Sequence, residues 1–283
     1  MAAGGIDGLP APTVVRARGD VAVWAIGAGE PVLLVHGFPD HPLGVWPTAT
    51  ALADAGFRCL CPALPGYAPS APVPGGDYGL PAVGDDLLAV LDAFELDRVA
   101  LVGHDWGAEI GFPLVARAPD RFTCFVALAV PHPAGYAVRR AVFSELRTAW
   151  YAIFLAFAPG AEDVAANPEW LTALVQSWSP GFHWPQWPEV CAAIARPDVL
   201  REVCAYYRAN LSTSLPHPRV AVPTTVIHGG QDGCIHPIVF EGLEDWFDAG
   251  IARRLLPQAG HWPHLECPGE TLELMVEALR TAP

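Results

Sequence analysis

The segment Gly103-His104-Asp105-Trp106-Gly107 follows an apolar run and opens a helix-length stretch. Small residues on either side of a central side chain permit the sharp strand-to-helix turn of a G-x-S-x-G nucleophile elbow, which lifts that side chain above a sheet. Here the central residue is Asp105 in place of serine. Gly107 lets the following helix pack closely, and a helix N-terminus favours an anion at this spot. A carboxylate so placed is a poor catalyst of acyl transfer. It is a competent nucleophile toward saturated carbon, where it forms an alkyl-enzyme ester. The bland alternative is an aspartate helix cap within a chance G-x-D-x-G.

Further residues fall where such chemistry needs them. Pro31 to Pro39 is an apolar strand ending in a glycine turn, and the amides of Phe38 and Trp106 are candidates for a two-donor oxyanion hole. Thr224-His228 reads as another strand, with Asp232 after its C-terminal end, on the crevice side of an open sheet. Ala259-Gly260-His261-Trp262 follows the last strand. His261 would activate water, while Asp232 would orient its ring and stabilise the imidazolium. The rival place for the acid, the end of the strand at 122–130, runs into Val130-Pro131-His132 without a carboxylate. His36 with His41, or His261 and His264 with Glu266, can be drawn as metal ligands. His36 and His261 already occupy motif positions, and no H-E-x-x-H or carboxylate-rich set accompanies them, so neither metal nor cofactor is expected.

The elements that must position these residues are legible from periodicity. Short β-type runs occur at Thr13-Arg18, Val21-Ile26, Pro31-His36, Phe57-Cys61, Arg98-Gly103, Phe122-Val130, Thr224-His228 and Ile251-Leu256. Helix-length segments lie at Val45-Ala55, Leu80-Phe94, Trp106-Ala118, Val239-Ala249 and Pro268-Thr281. The central strands are continuously apolar, as expected where helices cover both faces of a parallel sheet. The two N-terminal runs, joined by Gly19-Asp20, read as an antiparallel hairpin. From Ala134 to about Pro218 the pattern is helical, rich in bulky aromatics and prolines. The expected organisation is an α/β core over 1–133 and 216–283, with an inserted helical cap over 134–215. Pro131-His132-Pro133 and Pro216-His217-Pro218 read as punctuation at its edges and not as metal ligands.

Composition excludes several classes. Hydrophobic residues make up 52% of 283 and charged ones 16%, which rules out disorder. All sixteen basic residues are arginine, so Schiff-base chemistry and a Walker-A loop lack their lysine. A net charge of −14 argues against nucleic-acid or anionic-membrane binding. The seven cysteines form no C-x-x-C pair and read as buried small hydrophobes in a reducing compartment. No signal peptide is read at the N-terminus, and the longest apolar stretch, Ala149 to Pro159, is far below the roughly 20 residues of a membrane span. Asn210-Leu211-Ser212 is a glycosylation sequon by spelling only. A cytoplasmic monomer or homodimer is expected.

His36-Gly37-Phe38-Pro39, Leu64-Pro65-Gly66-Tyr67, Gly103-His104-Asp105-Trp106-Gly107 and Gly260-His261-Trp262 together resemble the α/β-hydrolase-fold epoxide hydrolases and their relatives, the haloalkane dehalogenases. The resemblance runs from about Pro31 to the C-terminus, with Asp105, Asp232 and His261 in the family's order. It implies two cap tyrosines that donate to the epoxide oxygen, a task suited to a phenol. In Tyr206-Tyr207-Arg208-Ala209-Asn210, Tyr207 matches the second of them. Trp150-Tyr151-Ala152-Ile153-Phe154 resembles the site of the first, which is Tyr151 or a neighbouring residue. For dehalogenation, Trp106 stands where one halide-binding indole is placed, but Phe38 replaces the usual asparagine, and only a cap tryptophan (Trp170, Trp178, Trp184 or Trp187) remains as a substitute. The expectation is an epoxide hydrolase acting on a lipophilic epoxide, with dehalogenation as the alternative. A non-catalytic binding protein of this fold is a third reading, opposed by the presence of all three triad members.

Overall fold

The computed structural model describes residues 9–136, 147–211 and 217–281. Its centre is made of the continuously apolar runs. β3 (Glu30–Val35), β5 (Val99–His104), β6 (Phe122–Leu128) and β7 (Thr224–Gly229) bury nearly every side chain, because helices cover both faces. With β1 (Thr13–Arg16), β2 (Asp20–Gly27), β4 (Phe57–Pro62) and β8 (Ile251–Leu256) they form an eight-stranded sheet, ordered β1-β2-β4-β3-β5-β6-β7-β8. The N-terminal hairpin is antiparallel and β2 pairs antiparallel with β4, while every pairing from β4 through β8 is parallel.

Strand order decides where the helices lie. From β3 the chain steps outward to β4, then back across β3 to β5. Right-handed crossovers therefore put α1 (Pro42–Asp54) and α2 (Leu80–Ala93) on opposite faces. α3 (Trp106–Arg117) packs beside α2, and the C-terminal helix, which closes the fold, packs beside α1. The outcome is an α/β-hydrolase-type sheet flanked by helices, as expected. The loops that matter leave the C-terminal ends of β3, β5, β7 and β8.

Between β6 and β7 the described chain is helical: α4 (Trp150–Phe157), α5 (Ala161–Ala165), α6 (Pro168–Trp178), α7 (Trp187–Ile194) and α8 (Pro197–Leu211). The expected boundary at 215/216 lies outside the described residues. His132 is not a metal ligand: its Nε2 bonds the Pro218 carbonyl at 2.7 Å and its Nδ1 accepts the Ala134 amide at 3.2 Å, so it joins the two ends of the insertion. α9 (Pro263–Glu266) and α10 (Pro268–Thr281) complete the chain. No described helix is long and apolar enough to cross a membrane.

One expected element is different. Val239-Ala249 reads as a helix in the sequence but forms two short 3-10 turns, Pro237–Phe240 and Glu244–Trp246. Glu241 is extended and Gly242 takes φ +68°, a conformation that stops a right-handed helix.

Candidate active site

Asp105 sits at the turn between β5 and α3 with φ +49° and ψ −116°, a strained conformation for a non-glycine residue. The turn exists because its neighbours lack side chains. A Cβ on Gly107 would meet the Val35 carbonyl, and one on Gly37 would abut the Asp105 side chain and lie 2.6 Å from the Trp106 amide nitrogen. The close approach puts the Phe38 amide 2.7 Å from Asp105 Oδ1, so one of the two expected oxyanion donors already rests on the carboxylate. The Trp106 amide borders the same space.

His261 and Asp232 arrive from the loops after β8 and β7. Asp232 Oδ1 accepts the amides of Cys234 and Ile235 at 2.7 and 2.9 Å, which fixes the carboxylate and aims Oδ2 at His261 Nδ1, 2.9 Å away. Nδ1 therefore carries the proton given to Asp232, and Nε2 faces Asp105 Oδ2 at 3.5 Å. Burial opposes a charge on His261, but the two carboxylates overcome it and raise its pKa. Burial also pushes against ionised Asp105, yet its bond to His261, the charge there and the Phe38 amide hold its pKa below the usual value. The resting pair is a carboxylate beside an imidazolium.

The His261 loop is held by Ser179, which the sequence did not single out, and by Glu266, drawn there only as a possible metal ligand. Ser179, at the end of α6, accepts the His261 amide at 2.8 Å and donates to Glu266 Oε1 at 2.8 Å. Glu266 also accepts the amides of Gly260 and Trp262, both at 2.9 Å, so it is structural and not part of a metal set. A carboxylate beside free amides at a helix start is a readable signal for Glu266. Ser179 had none, since its partner is 82 residues away.

The tyrosines arrive from α4 and α8. Tyr207 is buried, with its ring 4.9 Å from Trp106 and 6.0 Å from Phe38, over the two residues whose amides border Asp105. Burial, with Tyr151 and Asp105 nearby, pushes its phenol well above the ordinary range. Tyr151 meets Tyr207 edge-on at 5.9 Å, and its hydroxyl lies 3.2 Å from Cys234 Sγ. Tyr206 turns the other way and donates to the Pro65 carbonyl at 2.9 Å. Trp178 from α6 stands 5.0 Å from His261. All seven expected site residues (Asp105, His261, Asp232, Tyr207, Tyr151, Phe38 and Trp106) are thus brought to one end of the sheet.

A family profile of the α/β-hydrolase fold matches residues 30–268. An epoxide hydrolase of Caballeronia sordidicola is 28% identical, over 90% of this chain and 89% of its own. Epoxide hydrolase A of Mycobacterium tuberculosis is 25% identical, over 96% and 98%. Among solved structures, an epoxide hydrolase of the α/β-hydrolase superfamily from hot-environment metagenomes superposes with TM-score 0.84 at 22% identity, over 95% of this chain and 98% of its own. With the elbow, the sheet order and a profile match across most of its length, the chain belongs to the α/β-hydrolase fold family.

Proposed function

We propose that the protein is an epoxide hydrolase that opens a lipophilic epoxide to a vicinal diol through an ester on Asp105. The observation that carries the reading is the convergence of two buried tyrosines on an aspartate elbow whose histidine is flanked by carboxylates at 2.9 and 3.5 Å. The relatives named above are epoxide hydrolases, which supports the same class. The helices of the insertion act as a cap that carries the proton donors.

Asp105 attacks the less hindered epoxide carbon. A C–O bond to the carboxylate forms, the ring C–O bond breaks, and the electron pair on the ring oxygen takes the proton of Tyr207, with Tyr151 as second donor. The imidazolium of His261 restores the phenol proton. Esterification removes one of the two charges that raised the His261 pKa, so the neutral ring becomes the base for the second step. His261 takes a proton from water, and the hydroxide adds to the ester carbonyl. The Phe38 and Trp106 amides stabilise the oxyanion, each by about 3 kcal/mol in comparable sites. Collapse breaks the ester C–O bond, the departing alkoxide takes the proton of the added hydroxyl to become the diol, and the carboxylate–imidazolium pair returns. The aromatic insertion, with Tyr151 against Trp178, suits an apolar substrate.

A second reading has one observation in its favour. Trp106 Nε1 is buried without a hydrogen-bond partner among the described residues, as a halide-binding indole would be. Intact mass of His261→Gln after incubation with a lipophilic epoxide, and separately with a haloalkane, decides. An adduct equal to the whole epoxide and mapped to Asp105 is expected. An alkyl adduct from the haloalkane alone, with halide released, would make the protein a dehalogenase. No adduct from either sinks both readings.

A further inference from the structure

Asp232 meets His261 with one oxygen and is held by the other, and a residue that holds it has a side chain the proposed chemistry leaves unused. The Cys234 amide donates to Asp232 Oδ1 at 2.7 Å, while the Cys234 thiol, fully buried, lies 3.2 Å from the Tyr151 hydroxyl. One residue thus touches the carboxylate beside His261 with its backbone and a tyrosine of α4 with its side chain. The turn that contains it is firmly set. Gly233 donates its amide to the Trp178 carbonyl at 2.9 Å, and a Cβ on Gly233 would collide with the Ser177 carbonyl, so the turn is pressed against the end of α6. The Ile235 amide adds a second bond to Asp232 Oδ1 at 2.9 Å.

Sγ also lies within 4.8 Å of ligand atoms of Asp232 and His261, a spacing open to a metal ion. However, Asp232 Oδ2 and His261 Nδ1 are already joined at 2.9 Å, and a cation between them would break the bond that aims the imidazole. The contact with Tyr151 is the better account of the thiol.

The Tyr151 ring is placed by aromatic neighbours, with Trp178 edge-on at 4.6 Å and Tyr207 edge-on at 5.9 Å. Rings fix where a phenol stands but not where its one proton points, because the hydroxyl turns about its own C–O bond. An oxygen acceptor captures that proton. Tyr206 behaves so on α8, where its hydroxyl donates to the Pro65 carbonyl at 2.9 Å. Sulfur differs. A thiol is a weak donor and a weak acceptor, so at 3.2 Å it steers the hydroxyl without holding its proton against a developing alkoxide. With the thiol donating to Tyr151 Oη, the phenol proton is free to turn toward the epoxide oxygen.

We propose that Cys234 is a positioning residue for epoxide opening, whose thiol aims the Tyr151 hydroxyl at the ring oxygen from the same turn that fixes Asp232. The proposal rests on the epoxide hydrolase reading above. Cys234 makes and breaks no bond to substrate. Its hold on Asp232 runs through the backbone amide, so the side chain bears on ester formation and leaves ester decay alone.

The test is single-turnover reaction with a lipophilic epoxide, following formation and decay of the Asp105 ester by rapid quench and intact mass. Cys234→Val, close in volume and without a polar atom, should slow ester formation about tenfold and leave decay within about twofold of wild type. Cys234→Ala serves in its place should the branched side chain not fit. Cys234→Ser keeps a hydroxyl at the same position and should recover most of the loss. The double variant separates aiming from packing. In a Tyr151→Phe background, Cys234→Val should change ester formation by less than about twofold, because the hydroxyl it acts on is gone. An undiminished effect there means that Cys234 acts through packing, and overturns the proposal. Unchanged formation in Cys234→Val, or equal slowing of formation and decay, overturns it too. Tyr151→Phe forming the ester at the wild-type rate also overturns it, leaving Tyr207 as the proton donor and the ester reading intact. No Asp105 ester in wild type removes the parent reading, and this one with it.

Discussion

Tyr206 and Tyr207 are neighbours on α8, yet a helix turns about 100° per residue and sends their hydroxyls to different places. Tyr206 packs against Tyr67 and Tyr78 and spends its proton on the Pro65 carbonyl. Tyr207 faces Phe38, Trp106 and Tyr151. Its raised pKa keeps the proton in place until an alkoxide develops beside it. Substitution should therefore split the pair. Tyr207→Phe is expected to lower epoxide opening by about 10²-fold, the lower end for loss of a general acid, with melting temperature nearly unchanged. Tyr206→Phe should cost about 1 kcal/mol of stability through the lost buried bond and change ester formation little. Stopped-flow single turnover and thermal melts of both variants check this. A Tyr207→Phe rate within a few-fold of wild type would move the proton donor elsewhere.

Positioning of His261 is a property of elements, because the loop after β8 is anchored by Ser179 at the end of α6 and by Glu266, the last residue of α9. Ser179 is the hinge of that arrangement, bonded both to the His261 amide and to Glu266. Ser179→Ala leaves two buried groups short of a partner, and a loss of about 1–3 kcal/mol in stability is expected. Ester decay should slow roughly tenfold as the imidazole loses its fixed aim, with ester formation affected less. Equal slowing of both steps would show that Ser179 supports the fold without aiming His261. The same elements mark the limits of reading from sequence. The central strands were legible because they are nearly unbroken apolar runs, and the elbow because Gly103 and Gly107 punctuate it. The expected helix at 239–249 fails at Gly242, whose φ of +68° is set by the tertiary path and not by local spacing. His264 looked like a partner of the nearer His261, and Asp40 carried no signal of its own. Only the crossovers bring them together with His104.

At the scale of the whole molecule, the question is what fixes α8, and with it Tyr207, over the core. Three residues on α8 reach down. Glu202 accepts the Tyr78 hydroxyl at 2.5 Å, Tyr206 holds Pro65, and Asn210 bonds in both directions. Asn210 Nδ2 donates to the carbonyls of Tyr78 and Tyr206 at 3.0 and 2.8 Å, while its Oδ1 accepts the Leu80 amide at 3.1 Å, at the start of α2. The amide that spells a glycosylation sequon is therefore buried and fully engaged. Asn210→Ala strands the Leu80 amide and frees two carbonyls, which should cost about 2–3 kcal/mol and lower the melting temperature by several degrees in a single transition. Because Tyr207 rides on the same helix, ester formation should fall as well, by about 5- to 50-fold, with less effect on decay, which depends on the His261 side. Asn210→Asp keeps the acceptor for Leu80 and should recover part of the stability. Calorimetry and single turnover on both variants test this coupling. Loss of stability without loss of ester formation would mean that the aromatic packing around Tyr207 holds it in place alone.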